Sequence, residues 1–304
     1  MPMRKVVKKY HLYQQLPLFL LLLPAIVHVC IFGYGPLYGL QIAFRNFRPT
    51  KGIWGSPWVG LEHFRRFLNY PNFWPMVRNT ITITLYIIAL FPVPIFCALI
   101  VNEIQNSRLK KAVQTITYAP HFVSTVVLCS MVMLFLNRSS GLINNMIAAL
   151  GGTRVDFLGT ASMFPHIYVL SGVWQNTGWN MIVYLAALSS VSLDCVEAAK
   201  IDGANRMQVI LHVNLPHILP TIVILFILGA GSILNVGYEK ILLLQNPLNL
   251  ETSTVISTYV YEIGLVSGQW SYSAAIGLFN TLVNLSMVIL VNFIARRLSQ
   301  ASLW

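Results

Sequence analysis

The chain has 304 residues, 56% of them hydrophobic and only 10% charged, where an ordinary soluble domain carries about 25% charged residues. Together with a mean hydropathy of +0.66, this excludes a water-soluble enzyme. The formal charge of +11 does not imply nucleic acid, because Lys and Arg stand in short loops beside apolar stretches, where they face lipid headgroups.

Stretches free of Asp, Glu, Lys and Arg define the elements, since a membrane-crossing helix needs about 20 mostly apolar residues. Six stretches qualify: Lys9 to Arg45, Arg78 to Glu103, Lys111 to Arg138, Asp156 to Asp194, Arg206 to Glu239 and Glu262 to Arg296. The first is too long for a signal peptide and no small-residue cleavage pattern follows it, so it is expected to remain as helix one over Leu16–Phe44. The GYGPLYG stretch from Gly33 is expected to bend or end that helix. Next comes a loop rich in Pro, Gly and Trp (Asn46–Trp58). GLEHFRRFL then predicts an interfacial amphipathic helix, with Leu61, Phe64, Phe67 and Leu68 on its dry side and Arg65 and Arg66 in water.

Helices two and three are expected over Thr80–Asn102 and Val113–Leu136, and helices four, five and six over Phe164–Ser189, Ile218–Gly237 and Ser273–Ala295. Thr80, Thr82 and Thr84 alternate and cannot share one helix face, which marks them for packing. The stretch Ser139–Thr153 is too short and polar to span. With both termini placed in the cytoplasm, eleven Lys and Arg fall inside and nine outside, the direction the positive-inside rule favours. Cys30, Cys97 and Cys129 lie in apolar spans and Cys195 in a loop, without metal-ligand spacing, so they are expected to act as small buried hydrophobes.

One inside loop is not a short connector. Leu193–Pro216 reads LDCVEAAKIDGANRMQVILHVNLP. Asp194 as N-cap with Glu197 three residues on has capping-box spacing, Asp202-Gly203 supplies a helix stop, and a second helical stretch from Asn205 leads into helix five. A helix of roughly eight residues is marginal alone, so it either docks on a partner through its alanines, with Glu197 and Asp202 offered to a partner Arg, or serves only as a structured connector.

Glu197-Ala198-Ala199 followed by Asp202-Gly203-Ala204, with Leu215-Pro216 closing the loop, resembles the EAA motif of ABC importer permeases in its EAAxxDGA form. That form is similar to the carbohydrate branch typified by the larger maltose-transporter permease subunit. The likeness to the permease core covers residues 75–298. Through YGPLYGLQIAF, PWVGLEHFRRF and the terminal ASLW, almost the whole chain resembles Gram-positive permeases for complex oligosaccharides. The resemblance implies an all-α membrane protein with the type I importer permease fold: residues 1–74 hold an N-terminal cytoplasmic segment, the first span and an extracellular interfacial segment, 75–298 five further spans and the loop 193–216, and 299–304 a cytoplasmic tail. It implies that Glu197, Ala198, Ala199, Asp202, Gly203, Ala204 and Pro216 couple the chain to an ATPase, Glu197 meeting a basic residue there. The implied partners are a second homologous permease, two ATPase subunits, an extracellular solute-binding lipoprotein and an oligosaccharide. No GxxxxGKS/T phosphate loop occurs, so the chain is expected to be no enzyme and to bind no cofactor itself, ATP and Mg being used by the ATPase.

A sugar needs hydroxyl-pairing and aromatic groups, costly inside a membrane unless they line a wet cavity. Helix five offers Ser232, Asn235 and Tyr238, the first two where the resemblance to the maltose permease places sugar contacts. Helix four offers Trp174, Gln175, Asn176, Trp179 and Asn180 around Gly178, and helix six offers Asn280 and Asn284. Interhelical hydrogen bonding is the alternative for each. Two other functional classes remain: a permease for peptides or amino acids, and a secondary transporter without ATPase partners. The absence of charge at the span centres weighs against the latter.

Overall fold

The computed structural model describes residues 17–231 and 236–298. Among these no strand forms; apart from the isolated bridges Arg45–Trp58 and Arg48–Gly52, the regular structure is helical. The helices are α1 (Pro17–Phe44), α2 (Glu62–Leu68), α3 (Phe73–Ala89), α4 (Pro92–Asn102), α5 (Ser107–Tyr118), α6 (Thr125–Leu136), α7 (Leu142–Ala149), α8 (Phe164–Leu188), α9 (Leu193–Ile201), α10 (Arg206–Val209), α11 (Leu215–Ala230), α12 (Tyr238–Leu244), α13 (Leu250–Ser253), α14 (Ile256–Tyr261) and α15 (Trp270–Leu298). Four continuous helical stretches are long and apolar enough to cross a membrane, or six if each of two bent pairs counts as one span.

The GYGPLYG stretch does not end the first span. The backbone opens into π-helical turns over Val29–Tyr34, which carry it to Pro36 without an i→i−4 donor being required there, and tightens into 3-10 turns over Gly35–Phe44. This helix lies at the periphery, its most apolar window contributing no buried residue. Helix α2 forms as expected, but only Phe67 is buried. Phe64 packs on Phe44 at 5.4 Å between ring centroids, and Leu61 and Leu68 stay exposed. Arg66 lies 4.2 Å over the Tyr272 ring. The second span starts seven residues before its expected beginning, at Phe73, because Phe73 and Met76 pack with Phe67, Ile256 and Ile276.

The expected single helix Val113–Leu136 is broken. Helix α5 runs through a 3-10 turn to Phe122, Ser124 caps α6, and the two segments meet at 100°. Pro120 cannot donate to the preceding turn, and extended Val123 completes the corner. Helix α8 matches the fourth expected span almost to the residue and has Gly178 where it crosses this corner. A Cβ at Gly178 would overlap the Thr117 carbonyl oxygen, so the missing side chain permits the close approach.

Helices α12 to α14 form a folded segment that periodicity did not anticipate. Asn79 in α3 donates to the Glu251 and Thr254 carbonyls at 2.8 and 3.0 Å, and Asn249 donates to Leu158 and Leu244 carbonyls at 3.2 and 3.1 Å. These bonds satisfy irregular backbone that would otherwise be buried without partners. The threonine series splits by face: Thr80 and Thr84 are buried, Thr82 is exposed, and the Thr80 hydroxyl joins the Met76 carbonyl to the Ile256 amide. Of the four cysteines only Cys129 is buried. Cys30 and Cys195 are exposed, correcting the expectation for them.

Candidate functional site

The loop Leu193–Pro216 folds as two short helices, with its start shifted. The N-cap is Ser192, in extended conformation, and Asp194 and Glu197 do not form a capping box. The extended residue that lets the chain turn from α8 precedes Leu193, which places Asp194 in the first turn, where the helix dipole favours a carboxylate. At the other end Gly203 takes φ +83°. Its amide donates to the Lys200 carbonyl at 3.0 Å, and the Ala204 amide donates to the Ala199 carbonyl at 2.9 Å. This is the Schellman closure that a left-handed glycine allows.

Asn205 begins α10 with a reciprocal capping box. Its side chain accepts from the Gln208 amide at 2.9 Å, and the Gln208 side chain accepts from the Asn205 amide at 2.7 Å. A π-helical turn over Ile210–Asn214 then feeds α11, which has Pro216 in its first turn. Asn214 donates to the Glu103 carboxylate at 3.4 Å, tying this junction to the end of α4.

The two helices are thus positioned from both ends, yet α9 buries none of its residues. It leaves α8 at 78°. Glu197 and Ala198 are exposed, Leu193 and Ile201 are 74% and 86% exposed at its two ends, and Ala199, Asp202, Gly203 and Ala204 line a cleft with Gln208 and His212. A rigidly held, unburied helix with apolar ends and a central carboxylate is suited to seat in a groove of another protein.

The second locus is a cavity of about 540 Å³ between α3–α4, α8, α11 and Lys240 of α12. Gln175 and Asn180 line it, together with Asn176, Thr177 and Trp179. Gln175 donates to the Val123 carbonyl at 2.8 Å, while Asn176 bonds His121 at 3.0 Å, and the His121 ring stacks on Trp179 at 4.4 Å. The helix-four cluster therefore both faces the cavity and fastens the broken α5–α6 corner.

Other expected pathway residues are not brought there. Trp174 is exposed away from the cavity lining, Tyr238 stacks on Tyr261 at 5.1 Å, and Asn280 and Asn284 are buried within the bundle along α15. Ser232 and Asn235 lie outside the described residues, and α11 ends at Ala230, before the expected Gly237.

Sequence reasoning passed over Lys240, setting it just beyond a span. It is 9% exposed, donates to the Tyr168 carbonyl at 2.7 Å and lies 4.8 Å over the Tyr168 ring. The signal was in YEKILLL: Lys240, Ile241 and Leu244 share the buried side of a short helix, so Lys240 belongs to an inward face and not to a loop.

A family model described as the binding-protein-dependent transport system inner membrane component matches residues 91–300. The chain is 41% identical, over 96% of its length and 92% of the relative, to the polygalacturonan/rhamnogalacturonan transport system permease protein YteP of Bacillus subtilis (strain 168). It is 27% identical, over 92% of its length and 88% of the relative, to the arabinooligosaccharides transport system permease protein AraP of the same organism. Among solved structures, a chain of a bacterial alginate ABC transporter, crystallised in complex with an alginate pentasaccharide-bound periplasmic protein, superposes with a TM-score of 0.88 at 38% identity, covering 97% of this chain and 99% of that one.

Proposed function

The chain belongs to the family of binding-protein-dependent transport system inner membrane components, and from that premise we propose how it works. It is a multi-pass membrane protein with the type I importer permease fold, and it acts as a permease subunit of an ABC importer for oligosaccharides. It pairs with a second permease to enclose the pathway, and two ATPase subunits use ATP and Mg on the cytoplasmic side, where both termini lie. An extracellular solute-binding protein delivers the sugar.

The observation that carries this reading is the loop Leu193–Pro216, closed at Gly203 and capped at Asn205 but with α9 unburied. Glu197 meets a basic residue of the ATPase, Ala198 and Ala199 allow close approach, and Leu193 and Ile201 are covered on docking. Movement of the ATPases is transmitted through the Asn214–Glu103 junction to α4 and α11, both of which line the cavity. Sugar hydroxyls pair there with Gln175, Asn176 and Asn180, while Trp179 offers an aromatic face. For coupled transport, ATP and the loaded binding protein must favour the same state of the permease pair.

The test is Glu197→Lys in the reconstituted importer. The variant should insert normally and still assemble with its permease partner, but ATP hydrolysis should no longer rise when loaded binding protein is added. Stimulation equal to wild type would remove α9 from the coupling path, and uptake that persists without any ATPase would identify a secondary transporter.

A further inference from the structure

Among the described residues the polar lining of the cavity is neutral apart from Lys240: it holds Gln175, Asn176, Thr177 and Asn180 and neither Asp nor Glu. A buried ammonium among membrane helices is costly and is ordinarily offset by an opposite charge. Among the described residues Lys240 meets the Tyr168 carbonyl and the Tyr168 ring, with the Cys129 thiol close by, and no carboxylate pairs with it. An ammonium has three donors, and one carbonyl occupies one of them.

Gly172 faces the amine. A Cβ there would stand 3.1 Å from the Lys240 nitrogen, and glycine inside a helix is less favourable than alanine. The missing side chain makes room for the amine itself at the cavity wall. A sugar bearing a carboxylate would provide the missing counter-charge, whereas a neutral sugar would leave the ammonium desolvated and unpaired.

We propose that Lys240 is a specificity-determining residue that receives the carboxylate of an anionic, uronate-containing oligosaccharide crossing this cavity. The proposal rests on the reading of the chain as an oligosaccharide permease. The amides along α8 hold the sugar hydroxyls while the ammonium forms a charge-assisted bond to the acid group.

The test uses the complete importer in proteoliposomes, with trigalacturonate and its methyl ester as substrates. Lys240→Gln keeps a donor and loses the charge. It should lower trigalacturonate uptake roughly tenfold, mainly through KM, with the thermal midpoint of the assembly unchanged, whereas Lys240→Arg should retain most of the uptake. If Lys240→Gln assembles poorly, wild type supplies a second measurement. Trigalacturonate should slow acetylation of Lys240, read by mass spectrometry, and the methyl ester should not.

Equal loss of acid and ester uptake, full uptake by Lys240→Gln, or equal protection by acid and ester would overturn the proposal. So would wild-type uptake of the ester but not the acid, which leaves the oligosaccharide reading standing. Uptake of neither substrate by wild type would overturn both.

Discussion

Gly178 shows how one residue decides a membrane bundle. Its place between Thr177 and Trp179 reads as an unremarkable helix glycine, yet the α5–α6 corner rests directly on it, with the Thr117 carbonyl where a side chain would be. Small residues that let backbones meet are a main resource of membrane helix packing, where lipid removes the usual hydrophobic drive. Gly178→Ala is expected to cost about 1–3 kcal/mol by overpacking, seen as a lowered thermal midpoint in detergent. Gly277→Ala, which meets nothing within 4 Å, should leave the midpoint unchanged or raise it slightly through better helix propensity. If both variants behave alike, the α8 contact is not what holds the corner.

At the level of elements, the loop after α8 depends on its two caps more than on apolar contacts. Asn205→Ala removes an N-cap and is expected to cost about 1 kcal/mol. Gly203→Ala forces a side chain into the left-handed region at φ +83° and should cost about 1–2 kcal/mol. Because α9 has no buried residue of its own, both changes should loosen the loop without unfolding the bundle. The expected pattern is reduced sugar uptake with wild-type membrane levels and basal ATP hydrolysis in the assembled importer. Reduced membrane levels instead would make the loop a determinant of folding.

Over the whole molecule, the distribution of exposed apolar surface fits a subunit rather than a complete transporter. Helix α1 is exposed along its apolar window, α15 exposes Leu282, Leu285, Ile289 and Phe293 beside a buried row containing Asn280, Asn284 and Asn292, and α9 exposes its two apolar ends. In the proposed importer, lipid would cover some of this surface and partner chains the rest, so that assembly would stabilise the fold by mass action. Purified alone, the chain is expected to be unstable, and a tag on it should retrieve a second permease and an ATPase. Micromolar oligosaccharide binding by the isolated chain would contradict this.

The sequence by itself determined the membrane character, the number of long apolar segments and the position of the EAA loop, because these rest on local composition and fixed spacing. Charge spacing finds spans reliably when each is one continuous helix, as α8 is. It failed at Pro120, where a long apolar run conceals a corner. Tertiary structure alone decided which polar residues share a space. Gln175 and Asn180 meet at the cavity, while Trp174, Tyr238, Asn280 and Asn284 do not, since facing depends on how tilted helices and an irregular segment pack together. It also turned Lys240 from a residue beside a span into a buried cation, because α12 folds back against α6 and α8, a long-range contact that no local pattern encodes.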